Sequence, residues 1–298
     1  MIKHMVDAGI SYRHQSEIFG IPHQTLHARR SVSESVPRSR SVDSDEHHLV
    51  DAVHVVKAEH PSWGIRRVRA FIRKKYGIPV GRKRTARIMR SHNLLCSRIK
   101  KRVHQRSVPR VTATRINQLW ATDMTSFQLT TGQNVFLVVV MDIFTRRIVG
   151  WHADLRCRAI EWLQALNLAL NAEFPDGVRG HDLTLRMDNG CQPTSRLYQN
   201  TLSTCGILGE WVGFNSPEQN GHVESLIGTL KQDWLWLHEC ESIDEARSLC
   251  SSAVSEYNAD HPHSSLGMWS PNEFTDLVRK DLVRITNSNS IEILISAA

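Results

Sequence analysis

The run NVFLVVVM, residues 134–141, restricts the fold more than any other feature of this 298-residue chain. A β-branched, almost wholly apolar stretch of this length predicts a strand that is buried on both faces of a sheet. Strand patterns also occur before it, at 118–128, and after it, at 147–153, with a turn near Thr145 between the second and third strands. These three segments therefore predict a β-meander.

Helix and strand patterns alternate after the meander. The predicted order is helix 158–173, strand 183–187, helix 195–204, strand 209–212, helix 220–237 and helix 244–257. A meander followed by alternating helices and strands predicts an α/β fold, in which a mixed sheet carries helices on its faces.

The charge is distributed unevenly along the chain. Residues 1–110 carry 24 Lys and Arg against 8 Asp and Glu, a net charge of +16, whereas residues 111–298 carry 13 against 22, a net charge of −9. A basic front and an acidic rear indicate a module that binds a polyanion, joined to a part that holds cations or carries out chemistry.

Changes in composition divide the chain into six segments. They are a short helix-turn-helix-like segment 1–30, a Ser-rich linker 31–44, a basic all-helical DNA-binding module 45–96, a basic connector 97–117, an α/β core with a C-terminal helical tail 118–278, and a tail 279–298. For residues 1–30 an ordinary helical hairpin is the alternative to a DNA-binding helix-turn-helix, because the pattern is short and common.

Basic residues crowd the end of the helical module. Helical spacing places Lys83, Arg87 and Arg90 on one face, where they would follow a phosphate backbone. A solvated basic helix is the alternative interpretation. The scarcity of acidic residues in this part of the chain favours nucleic acid.

The composition excludes several classes of protein. With 41% hydrophobic residues and eight Trp, the chain is not a disordered protein. No apolar run reaches the ~18 residues that a membrane span needs, and the N-terminus lacks the pattern of a secretory signal. The six cysteines form no C-x-x-C pair, so a zinc site is poorly supported despite 16 His.

Three acidic residues lie where such a fold would bring them together. Asp123 is in the middle of the first strand, Asp188 ends the fourth, and Glu224 lies in the first turns of the helix predicted at 220–237. Each residue alone has a structural interpretation: a solvent-facing strand Asp, a turn Asp before Asn-Gly, and a Glu that favours the helix dipole. Neighbouring first and fourth strands would make the three carboxylates converge.

The spacing of these acids resembles a known signature. Asp188 and Glu224 are separated by 35 residues, and Lys231 follows Glu224 by seven. This pattern resembles the catalytic motif of the retroviral-integrase-like DDE transposases. The blocks HPSWGIRRVRAFIRKKYGIPVGRKRTARIMRSHNLL, WATDMTSF, MDIFTRRIVGW, MDNG, SPEQNGHVESLIGTLK and YNADHPHSSLGMWSPNEF are similar, in this order, to the second-frame protein of a large family of two-frame bacterial insertion sequences.

The resemblance implies an RNase-H-like fold and a transposase activity, that is, metal-dependent DNA strand cleavage and strand transfer. It implies that Asp123, Asp188 and Glu224 are catalytic and hold two Mg²⁺ or Mn²⁺ ions, with Asp123 bridging. Lys231 lies about two helical turns, roughly 10.5 Å, beyond Glu224 and would contact DNA, as would Asn220 on the same face. For Lys231 an ordinary surface lysine is the alternative.

The implied partners are DNA, both element ends and target, and further copies of the chain on that DNA. A product of an upstream reading frame is a possible additional partner. No membrane is involved, and the expected location is the bacterial cytoplasm, at the nucleoid. The alternatives are a catalytically silent DNA-binding remnant or repressor of transposition, and a structure-selective nuclease on the same fold.

Overall fold

A computed structural model of the chain describes residues 44–96, 113–212, 220–285 and 291–293. The sequence interpretations of residues 1–43 and of most of the connector, 97–112, lie outside the described residues. The chain divides into two compact units, residues 1–51 and 52–298. Of the first unit, the structure describes only the beginning of helix α1 (Ser44–Glu59).

The second unit contains the remainder of α1 and two further helices of the basic module. Helix α2 spans Ile65–Lys75 and helix α3 spans Arg82–Ser91. Residues 60–64 form a turn between α1 and α2. Helix α2 buries Val68, Phe71 and Ile72, and α3 buries Thr85, Ile88 and Met89. Most of the basic residues of both helices lie on their outer faces, whereas Arg67 is largely buried.

A mixed five-stranded sheet forms the centre of the second unit, and its strand order is β3-β2-β1-β4-β5. The strands are β1 (Leu119–Gln128), β2 (Asn134–Asp142), β3 (Ile148–Asp154), β4 (Thr184–Met187) and β5 (Leu208–Trp211). Strands β1, β2 and β3 pair antiparallel, whereas β4 pairs parallel with both β1 and β5. The predicted meander is confirmed, and the first and fourth strands are neighbours, which is the condition for Asp123 and Asp188 to approach one another.

Helices cover both faces of this sheet. They are α4 (Ala159–Glu173), α5 (Arg196–Cys205), α6 (Gly221–Leu230), α7 (Ile243–Asp260) and α8 (Pro271–Arg279). The alternation of side chains along β2 explains the two layers. Val138 and Val140 pack with α4 and α5, while Leu137 and Val139 pack with α6 and α7.

The structure differs from the sequence prediction in two places. The helix predicted at 220–237 is α-helical only to Leu230 and continues as a π-helical turn, Lys231–Leu235. The tail contains a short antiparallel pair, β6 (Val283–Ile285) and β7 (Ile291–Ile293), for which no strand was predicted. Among the described residues, no helix combines the length and the apolar character that crossing a bilayer would require.

Candidate active site

Asp123 lies on β1, between β2 and β4, where the sheet is covered on both faces. Its side chain is half-buried, and Oδ1 accepts a hydrogen bond of 2.8 Å from the N–H of Met124. Burial is the main cause that raises the pKa of this carboxyl to about 6. The negative charges of Asp188 and Glu224 act in the same direction, and the hydrogen bond from Met124 and the charge of Lys231 oppose them. A bound cation would therefore be stabilised at this position.

Asp188 follows β4 directly, and the sheet register places it level with Asp123. Ala121 pairs with Arg186 across the parallel β1–β4 ladder, and each acid lies two residues beyond its member of that pair. Oδ1 of Asp188 accepts a hydrogen bond of 3.1 Å from the N–H of Gly190. Asp188 therefore lies just beyond the end of β4, on the side of β1, and its charge acts on Asp123.

Glu224 lies in the first turn of α6, which packs on the sheet through Val223, Leu226 and Leu230. Its N–H donates to the carbonyl of Asn220 at 3.1 Å, the hydrogen bond that begins the helix. Partial burial raises the pKa of the Glu224 carboxyl. Packing of α6 on β1 therefore brings the third acid within electrostatic range of Asp123, as its effect on the Asp123 pKa shows.

The charges of Asp188 and Glu224 each act on Asp123, but the three acids do not form a ready ligand cluster. Within 44–96, 113–212, 220–285 and 291–293, no group of three His, Cys, Asp or Glu side chains lies close enough together to hold a metal ion. That Asp123, Asp188 and Glu224 together bind metal stays a prediction.

The two predicted DNA contacts, Asn220 and Lys231, lie at opposite ends of α6. Asn220 is the N-cap residue and is only 6% exposed, and its Oδ1 has no hydrogen-bond partner among the described residues. Lys231 begins the π-helical turn, and its Nζ lies 5.8 Å from the centre of the Trp236 ring. Contact of either residue with DNA remains a prediction.

The predicted basic face of α3 points outward. Lys83, Arg87 and Arg90 are all exposed, opposite the buried Ile88 and Met89. This arrangement fits the spacing argument, and DNA binding by these three side chains remains a prediction.

Asp142 closes the β2–β3 turn and belongs to the structural framework of the site. It is fully buried, and its carboxylate accepts the N–H groups of Phe144 and Thr145 and, at 2.7 Å, the hydroxyl of Thr145. Burial raises its pKa to about 6. Its side chain is therefore occupied in holding the turn, which is a structural role.

Sequence reasoning missed the residue that anchors the π-helical turn. Asp233 is 1% exposed and accepts hydrogen bonds from Ser62 and from the indole of Trp63, both in the turn before α2. An acid within the aromatic and apolar string KQDWLWL was the available signal. A buried acid in such a string requires a partner, but only the structure identifies it.

Comparison with known proteins gives three family matches. Residues 113–211 and residues 213–271 each match the description "Integrase core domain", and residues 44–103 match "HTH-like domain". Transposase InsD for insertion element IS2D of Escherichia coli (strain K12) is 29% identical over 246 residues, which cover 79% of this chain and 80% of that protein.

Solved structures also resemble the chain. A chain of the simian T-cell lymphotropic virus intasome in complex with PP2A regulatory subunit B56 gamma has 17% identity and a TM-score of 0.45, over 75% of this chain and 74% of that one. The catalytic core domain of BIV integrase has 20% identity and a TM-score of 0.39, over 55% of this chain and 97% of that one.

The two integrase core matches adjoin one another and together span more than half of the 298 residues, including the whole five-stranded sheet and all three acids. The chain therefore belongs to the integrase core domain family, in which it is similar to the transposases of bacterial insertion elements.

Proposed function

We propose that this chain is a metal-dependent polynucleotidyl transferase that cleaves DNA strands at the ends of an insertion element and joins the resulting 3′-hydroxyls to target DNA. One observation carries the proposal: the β1–β4 register sets Asp123 level with Asp188, and the charge of Glu224 acts on Asp123. Membership of the integrase core family supports the same reaction class.

The donor chemistry of these side chains fits a hard divalent cation. All three are carboxylates, and the raised pKa of Asp123 reflects burial together with the negative charges of Asp188 and Glu224, which Lys231 only partly offsets. Asp123 would bridge two Mg²⁺ or Mn²⁺ ions, while Asp188 and Glu224 would each complete one. Such a pair of ions, when bound, activates the attacking oxygen and stabilises the leaving oxygen of a phosphodiester.

The chain itself holds the DNA and aligns the reacting groups. In the first step water attacks the phosphorus, and the P–O bond to the leaving 3′-oxygen breaks. In the second step that 3′-hydroxyl attacks a target phosphodiester, so each step exchanges one P–O bond for another and no covalent protein–DNA intermediate is required. Lys231, beside the acids, and the exposed cations of α3 would bind phosphates.

The reaction sets requirements on partners. Because two element ends are cut and joined together, we propose that at least two copies of the chain assemble on DNA. The product of an upstream reading frame would supply further DNA binding and oligomerisation contacts. In a bacterium this work would take place in the cytoplasm, at the nucleoid.

The test is metal-dependent joining of a labelled duplex that carries the element's own ends. Wild-type chain with Mg²⁺ or Mn²⁺ should give cleaved and joined products, and none without metal. Asp123→Asn, Asp188→Asn and Glu224→Gln should each abolish both products while leaving duplex binding intact. Glu239→Gln, which alters an exposed carboxyl beyond the π-helical turn, is the matched control and should retain activity. Joining that survives in Asp188→Asn would refute the assignment.

The alternative function is a catalytically silent DNA-binding remnant or a repressor of transposition. One observation supports it: among the described residues, no three possible ligands lie close enough together to hold a metal ion. That alternative predicts duplex binding without products under every metal condition. The same assay on a fusion with the upstream frame separates the two cases, because a fragment that lacks its partner would regain activity and a silent protein would not.

A further inference from the structure

A concave, strongly basic groove lies apart from the three acids, between the basic module and the segment that follows α7. Its volume is about 860 Å³, which is within the range of ligand-binding pockets. The groove is lined by side chains of α2, by the first residue of α3 and by residues 260–270. No predicted site residue contributes to it.

One wall of the groove consists of cations. Arg66, Arg69 and Arg73 follow one another at helical spacing along α2, and Lys74 and Arg82 extend the same wall. The opposite side of α2 is buried, which fixes the direction in which this stripe faces. Nε of Arg69 also donates to the carbonyl of Val80 at 3.0 Å, so this guanidinium is held in place.

Negative charge in the groove is too sparse to neutralise this wall. Asp260 is the one carboxylate among the lining residues, and Lys75 lies 3.7 Å from it. Lys74 is paired with Glu273 at 2.8 Å. The groove therefore retains the positive potential of several guanidinium groups, which attracts a polyanion.

The other wall is apolar and partly aromatic. Pro262, Met268 and Trp269 line it, and Trp269 is only partly buried. The turn that presents them is fixed by backbone hydrogen bonds from Met268 and Leu266 to the carbonyl of His263, and from His263 to the carbonyl of Trp269. Met268 adopts a left-handed conformation, with φ of 73°, which a non-glycine residue rarely does.

A cationic wall facing an aromatic wall is the arrangement that binds an unpaired nucleic acid strand. Arginines contact successive phosphates, while a ring stacks on a base that is not paired. A duplex binds an open basic surface through its phosphates. Its bases are stacked on one another, so none is free to stack on an aromatic side chain of the groove.

We propose that this groove binds an unpaired DNA strand, with its phosphates on Arg66, Arg69 and Arg73 and a base on Trp269. The proposal rests on the proposed function only in taking DNA as the polyanion. It assigns a role to the α2 face, distinct from the α3 face that carries Lys83, Arg87 and Arg90.

The test is binding of a fluorescein-labelled thymidine oligonucleotide of about 15 nucleotides to the full chain, by anisotropy. A duplex of the same length is measured in parallel, both in EDTA and over a salt series from about 50 to 200 mM. The double variant Arg66→Ala/Arg73→Ala should weaken strand binding by at least ~10-fold and reduce the salt slope by about 1.4. It should weaken duplex binding by less than ~3-fold.

The matched control is Arg156→Ala/Lys280→Ala, which removes two exposed cations that lie outside the groove. It should change strand binding by less than ~3-fold. Equal losses of strand binding in the two double variants would overturn the proposal, because binding would then depend on overall charge. A larger loss for the duplex than for the strand in Arg66→Ala/Arg73→Ala would also overturn it, by identifying a duplex surface.

Trp269 is tested separately, because it also packs against buried neighbours. Trp269→Leu should weaken strand binding at least ~5-fold, whereas Trp269→Phe, which keeps a stacking ring, should bind within ~2-fold of wild type. If Trp269→Phe and Trp269→Leu lose binding equally while both remain folded, base stacking at this position is refuted. Since every measurement is made without metal, none depends on whether the chain cleaves DNA.

Discussion

The indole Nε1 of Trp63 donates a hydrogen bond of 3.2 Å to Oδ2 of Asp233, 170 positions further along the chain. The hydroxyl of Ser62 donates to Oδ1 of the same carboxylate. Both Trp63 and Asp233 are buried, and the ring of His60 stacks on the indole at 3.8 Å. The turn before α2 therefore holds the π-helical turn that continues α6, so the basic module and the helix that carries Glu224 are joined at a fixed point.

Removing this carboxylate should destabilise the chain. Asp233→Ala leaves the buried indole N–H of Trp63 and the half-buried hydroxyl of Ser62 without this acceptor. A buried unsatisfied group costs about 1–3 kcal/mol, and a half-buried one costs less. We expect a decrease of roughly 2–4 kcal/mol in the free energy of unfolding, measured by urea denaturation. Asp176→Ala, at an exposed position, should change it by less than ~0.5 kcal/mol. Equal urea midpoints for the two variants would contradict this assignment.

Lys231 is the first residue of the anchored π-helical turn, and its charge acts on Asp123. If it binds a DNA phosphate, Lys231→Ala should weaken duplex binding and reduce the slope of log affinity against log salt by about 0.9. Lys231→Arg should keep the slope, since the charge is retained. Lys280→Ala, an exposed cation after α8, is the control. An unchanged salt slope in Lys231→Ala would leave Lys231 as an ordinary surface lysine.

Local patterns in the sequence predicted most of the fold. The β-branched run in β2 and the residue pattern of β1 each indicate a strand without information from the rest of the chain. In the helices that cover the sheet, apolar residues recur at the spacing of an α-helix. The π-helical turn was not predictable in this way. It depends on contacts of Asp233 with Trp63 and Ser62, and no local pattern contains a partner 170 positions away.

The candidate site was predicted by a different kind of signal. Asp123, Asp188 and Glu224 were identified by their spacing and by resemblance. The β1–β4 pairing explains why the charge of Asp188 acts on Asp123, 65 positions earlier in the chain. The groove on α2 was overlooked because the Arg66, Arg69 and Arg73 stripe resembles any solvated basic helix. The arginine stripe differs from an ordinary solvated face only because it lines the same groove as Trp269, which the chain reversal after α7 brings there.

Gly150 is required for the packing of α4 on β3. A Cβ at this position would lie 2.6 Å from the Cβ of Ala169 and 2.8 Å from its backbone nitrogen. Because both contacts belong to a packed helix, Gly150→Ala should force α4 away from the sheet, at a cost of about 1–3 kcal/mol in unfolding free energy. Thermal or urea unfolding measures this loss.

The control is Gly228→Ala in α6, where an added Cβ would meet no described atom within 4 Å. Because alanine favours the helix more than glycine does, this variant should gain up to ~1 kcal/mol. The two substitutions should therefore change the free energy of unfolding in opposite directions, with a decrease for Gly150→Ala and an increase for Gly228→Ala. A neutral Gly150→Ala would show that α4 does not pack as closely on β3 as described.

The stacking of His60 on Trp63 predicts a specific sensitivity to acid. Burial lowers the pKa of His60 from 6.5 to about 4, against a smaller opposing effect of Asp260. Between these two values the unfolded chain binds a proton that the folded chain does not, so the stability associated with a neutral His60 is complete above pH 6.5 and is lost as the pH falls toward 4. From pH 7 to pH 5 this histidine should account for a loss of about 2 kcal/mol in unfolding free energy.

Comparison with His60→Phe isolates this contribution. Phenylalanine keeps a ring against Trp63 but does not titrate. Between about pH 7 and pH 5, the free energy of unfolding of the variant should therefore decrease by about 2 kcal/mol less than that of wild type. Asp123 and Asp142, whose pKa values are raised to about 6, act with the opposite sign, but equally in both proteins. His47→Phe, an exposed position on α1, should retain the wild-type pH dependence. If urea denaturation gives the same pH dependence for His60→Phe and wild type, the imidazole of His60 is not buried in its neutral form, and the stacked junction beneath the π-helical turn is wrongly described.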